Sequence, residues 1–88
     1  MPQTAGRNGI PVVTVRYWAA ARAATGVDSE QLPGATVGAV LDAAVERHPG
    51  LAPVVAVASV LVDGLARDRA TPVAEGLTLE VLPPFAGG

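Results

Sequence analysis

The residue with a chemistry of its own is the last one. Gly88 follows Pro83-Pro84-Phe85-Ala86-Gly87 and is expected to offer its free carboxylate at the tip of a narrow segment. Two glycines without Cβ atoms make the thinnest peptide available, able to thread a constricted channel and approach a phosphate closely. Pro83 and Pro84 cannot extend a sheet ladder and favour extended geometry, so the preceding strand is expected to stop at Leu82. At about 3.3 Å per residue, an extended tail over 83–88 reaches roughly 20 Å beyond it. Phe85 would give that tail an aromatic anchor. A Gly-Gly ending is a weak signal alone in a chain with ten glycines; the Pro-Pro launch and the aromatic anchor give it weight.

Little else in the chain is equipped for catalysis. With no Cys there is no disulfide, thiolate metal site or cysteine nucleophile, and with one His no histidine-rich metal site is expected. No Lys occurs, which excludes a Schiff base. His48 falls in the last turn of a predicted helix, where a cation suits the helix dipole. Asp42 and Glu46 form an i, i+4 pair on an exposed helix face, which serves solubility. The net charge is −2 and the six Arg are scattered, so there is no basic stripe for nucleic acid. No stretch resembles a signal peptide or spans a membrane, and a cytoplasmic protein is expected.

The elements that must hold the tail follow from periodicity. At 88 residues the chain is a single domain, expected over 10–82 between a flexible arm at 1–9 and the tail at 83–88. Ile10 to Trp18 alternates, with Val13, Val15 and Tyr17 on the core face and Thr14, Arg16 and Trp18 on the wetter one. Ala19 to Ala24 predicts a short helix ended by Gly26, and Ser29 to Leu32 a second strand stopped by Pro33-Gly34. Thr36 caps a helix running to about His48, with Val37, Val40, Leu41, Ala44 and Val45 as its buried stripe. Ser59 to Val62, the turn Asp63-Gly64 and Leu65 to Arg67 make a hairpin. After a turn at Glu75-Gly76, the last strand, Leu77 to Leu82, points Leu77, Leu79 and Val81 inward and Leu82 outward.

That order predicts an α+β domain of the β-grasp, ubiquitin-like type: a mixed sheet of about five strands with one main crossover helix. First and last strands are neighbours in such a sheet, which brings Trp18 and Leu82 onto one exposed face. An apolar patch on a wet sheet face marks a partner surface.

Val13-Thr-Val-Arg-Tyr-Trp-Ala-Ala-Ala-Arg22, the Thr36 helix, Leu61-Val-Asp-Gly64 and Val81-Leu-Pro-Pro-Phe-Ala-Gly-Gly88 together resemble the small subunit of molybdopterin synthase. That subunit belongs to a sulfur-carrier family shared with the thiamine thiazole carrier. The likeness covers everything after the N-terminal arm, and its ending is the most specific part. The Tyr-Trp-Ala-Ala-Ala-Arg stretch is closer to the molybdopterin branch. Glu75-Gly76-Leu77-Thr78 departs from the family's usual Asp-Gly-Asp-Glu type turn, and the arm is longer than usual.

The resemblance implies a carrier rather than an enzyme, with no bound cofactor. An ATP-dependent activating enzyme, an adenylyltransferase, would adenylate Gly88. A sulfur donor enzyme would then convert it to a thiocarboxylate. The large catalytic subunit of molybdopterin synthase would receive the tail, and with it sulfur for the dithiolene of molybdopterin. Trp18, Arg22 and Leu82 would contact both large partners. Three alternatives stay open: a carrier for another thiolated metabolite such as cysteine or a thiosugar, a ubiquitin-like modifier conjugated through Gly88, and a β-grasp interaction module with an inert tail.

Overall fold

Alternation of β-branched and aromatic residues produces β1 (Val12–Tyr17). In the computed structural model, which describes residues 9–84, its Val13, Val15 and Tyr17 are buried as the pattern predicts. The chain turns through α1 (Ala20–Thr25), closed by Gly26 in the left-handed conformation at φ 78°. β2 (Ser29–Pro33) then returns antiparallel beside β1. Thr36 caps α2 (Val37–Arg47), its side-chain oxygen accepting from the Ala39 N–H at 3.1 Å. Val37, Val40, Leu41 and Ala44 are buried along one stripe of α2, and Val45 is half-buried at its margin.

β3 (Ser59–Val62) and β4 (Leu65–Ala66) are joined by Asp63-Gly64 at φ 52° and 79°, the paired left-handed geometry of a tight hairpin turn. β5 (Thr78–Leu82) completes a five-stranded sheet of order β2-β1-β5-β3-β4. β1 and β5 run parallel at its centre and every other pair is antiparallel. The helices cover one face, where Leu79 and Val81 join the core. This is the β-grasp expected from the order of elements.

Two regions carry structure that periodicity does not announce. After α2 the chain makes a 3-10 turn at Pro49–Leu51 and a short α3 (Ala52–Val55), each with a proline in its first turn. Leu51, fully buried, fixes the first of these against the core. The connection from β4 to β5 folds back over the start of α2. There the Val37 N–H donates to the Thr71 carbonyl at 2.9 Å and the Gly38 N–H to the Arg69 carbonyl at 2.9 Å. The first-turn donors of α2 are satisfied by the chain itself, leaving none of these for an anion.

Candidate functional site

β5 ends at Leu82, as the proline pair requires; Pro83 is buried and Pro84 exposed. The central strand of the sheet therefore delivers the tail. Phe85, Ala86, Gly87 and Gly88 lie outside the described residues, as do residues 1–8 of the expected arm.

Beside that launch point is the open face of the sheet. The parallel register sets Arg16 opposite Glu80 and Tyr17 opposite Val81, and the Trp18 N–H extends the ladder to the Val81 carbonyl at 3.3 Å. One step further along the register, Trp18 stands opposite Leu82, and both are half-buried on the face away from the helices. The sequence alternation places them together, and the fold does so too. Leu82 pairs across to Ser59 and Glu80 to Leu61, which adds a third half-buried apolar side chain, Leu61, to the face.

Polar groups frame the indole. Trp18 Nε1–H donates to Glu80 Oε1 at 3.1 Å, and the Arg16 guanidinium lies 4.8 Å from the ring centroid. Neither contact is visible in the alternation alone, although the strand register implies the Arg16–Glu80 neighbourhood. Arg22 is tied to the Trp18 carbonyl through its backbone N–H at 3.4 Å. Its exposed side chain reaches Asp28 at 3.4 Å, ahead of β2, instead of the indole.

A dense group of titratable side chains elsewhere among the described residues is structural. Glu30 accepts from the Tyr17 hydroxyl at 2.6 Å, meets His48 Nε2 at 2.8 Å and pairs with Arg47 Nε at 3.1 Å. Burial, the bond to Glu30 and its charge push the Tyr17 phenol far above its ordinary value. The Tyr17 and His48 rings meet edge to face, with centroids 6.2 Å apart. His48 thus does more than complement a helix end: it joins α2 to β2. A hollow of about 460 Å³ between α2, α3 and the β3–β4 hairpin is lined by none of these four residues. Among the described residues no group of three or more His, Cys, Asp or Glu is placed to hold a metal. No helix of the described chain is long and apolar enough to cross a membrane.

A family model described as the ThiS family matches residues 15–88. Among solved structures, the small archaeal modifier protein 1 of Haloferax volcanii is 28% identical, with a TM-score of 0.78 over 88% of this chain and 99% of that one. Its namesake from Methanosarcina acetivorans has a TM-score of 0.81 over 90% and 98% of the two chains, and at 23% identity the likeness is one of fold. A Pyrococcus furiosus protein provisionally described as molybdopterin converting factor, subunit 1, is 26% identical, with a TM-score of 0.77 over 84% and 98%. No curated protein sequence matches this chain.

Proposed function

The chain belongs to the ThiS family, and from that premise we propose that Gly88 carries sulfur as a C-terminal thiocarboxylate for dithiolene formation in molybdopterin biosynthesis. The observation that carries the proposal is that the family match, over residues 15–88, includes Gly87 and Gly88. The fold alone does not choose, because sulfur carriers and ubiquitin-like modifiers share it.

The chemistry begins with a carboxylate, a poor electrophile because oxide cannot leave. In the activating enzyme the Gly88 carboxylate attacks the α-phosphate of ATP, which forms the acyl-adenylate and releases pyrophosphate. A persulfide sulfur then attacks the carbonyl carbon and AMP departs with the bonding electrons. A thiol cleaves the resulting S–S bond and leaves the thiocarboxylate. Its ionised sulfur is the nucleophile, as thiolates are in cysteine chemistry. The large synthase subunit supplies the pocket and the acid–base groups, and this chain supplies the sulfur. Trp18 and Leu82 supply the docking surface beside the tail, with Arg22 at its border. The setting is the cytoplasm, where ATP is at hand.

A second function is favoured by the likeness to the Haloferax volcanii modifier protein: conjugation of Gly88 to lysines of other proteins. Intact-mass measurement of protein purified from its native host separates the two. Replacement of one terminal oxygen by sulfur supports the carrier. Higher-mass conjugates joined through Gly88, with no thiocarboxylate, support the modifier and overturn the carrier.

A further inference from the structure

We propose that Arg16 and Glu80 are positioning residues for Trp18, holding its indole as a preset anchor for a partner whose matching pocket is apolar. The inference deepens the docking role given to Trp18 above and rests on it. An aromatic side chain on an open sheet face is ordinarily free to change rotamer, and a partner that immobilises it loses part of its binding free energy to that ordering.

Here the ordering is already done. Arg16 precedes Trp18 by two residues, which puts both on the same face, and its guanidinium lies over the ring at 4.8 Å. Glu80, directly opposite Arg16 in the parallel register, accepts the indole N–H at 3.1 Å. One partner therefore takes the ring's face and the other its polar edge.

The backbone is fixed from both sides as well. The Trp18 N–H donates to Val81, and its carbonyl accepts from the Ala21 N–H at 2.9 Å and the Arg22 N–H at 3.4 Å. Between these bonds Ala19 turns the chain at φ 48°, a conformation that L residues seldom adopt. With its N–H taken by Glu80, the indole asks a partner for no acceptor. What it presents is apolar surface, continued across the face by Leu82 and Leu61. The complementary pocket is accordingly apolar at its centre.

Trp18 is the only Trp in the chain, so its fluorescence reports on this side chain alone. Time-resolved anisotropy of the purified chain is expected to show the indole tumbling with the domain as a whole. In Arg16→Ala/Glu80→Ala a fast local component grows, whereas Glu80→Gln, which keeps an acceptor, stays close to the parent. An equally large fast component in parent and double variant overturns the proposal.

Association with an adenylating enzyme encoded in the same genome supplies the second arm. The double variant is expected to bind roughly fivefold more weakly, the cost of ordering one side chain. The same two substitutions made on Trp18→Ala should add no further loss. An undiminished loss on that background means that Arg16 and Glu80 touch the partner themselves, which overturns positioning. Unchanged association of Trp18→Ala alone overturns the docking role instead, and the anisotropy comparison still decides the positioning.

Discussion

Tyr17 on β1 and Glu30 on β2 meet at 2.6 Å, and the carboxylate that receives the phenol also holds His48 and Arg47 from the end of α2. The strand pair and the crossover helix are thus tied together by one side chain that is only 12% exposed. Tyr17→Phe removes the bond to a charged acceptor while keeping the ring, and should cost about 1.5 kcal/mol in urea unfolding. An unchanged midpoint would mean that the bond to Glu30 adds nothing to the packing of the ring.

The same phenol sets an alkaline limit. Its folded-state pKa is raised, by burial first, so the folded protein holds the proton that the unfolded chain releases from about pH 10. Stability is full below that pH and falls as pH rises toward the folded value. Tyr17 is the only Tyr and there is no Lys, so the effect should be cleanly separable. The urea midpoint should fall above about pH 10 in the parent and stay flatter in Tyr17→Phe. An equal fall in both would trace the limit to another group.

Gly34 tests a close approach. A Cβ there would stand 2.6 Å from Val40 Cγ2 and 2.7 Å from the Val40 backbone nitrogen, and the backbone cannot yield as a flexible side chain can. Gly34→Ala should destabilise by about 2 kcal/mol. Gly38→Ala should cost less, because its tightest contacts, with Arg69, are 3.1 Å and Ala gains about 1 kcal/mol of helix propensity over Gly. The reverse ranking of the two melting temperatures would contradict this packing.

Ala19 offers the opposite outcome. Its positive φ carries strain that Gly does not, so Ala19→Gly should raise the melting temperature by roughly 4 °C, the equivalent of somewhat under 1 kcal/mol in a domain this size. A lower melting temperature would show that the unfolded-state entropy of Gly outweighs the strain.

Much of this fold is legible because burial imposes period 2 on strands and period 3.6 on α2. Val13, Val15 and Tyr17 and the Val37 stripe show it directly, and the Asp63-Gly64 turn is set by residue chemistry. What is not legible depends on tertiary contact. The fold-back over the start of α2 is held by main-chain carbonyls of Arg69 and Thr71, which any residue supplies, and by the Arg69 guanidinium on Asp42 of α2, a pair 27 residues apart in sequence. Gly34 reads as a turn residue in sequence, but its lack of a Cβ matters because Val40 is pressed against it. Likewise Glu30 sits in an unremarkable polar strand, and only the return of α2 brings His48 and Arg47 to it. For the candidate site, alternation puts Trp18 and Leu82 on one face. The clamp of Arg16 and Glu80 around the indole needs the parallel register as well.

The chemistry of Gly88 is open to one direct measurement. The purified chain is incubated with an adenylating enzyme from the same genome, ATP and a persulfide sulfur donor, and the mass of its C-terminal peptide is then read. Replacement of one oxygen by sulfur on Gly88 is the predicted result, absent when Gly88 is deleted although the deleted chain melts at nearly the same temperature. A C-terminal peptide that stays a carboxylate, with an enzyme shown to be active on its own carrier, would contradict the account.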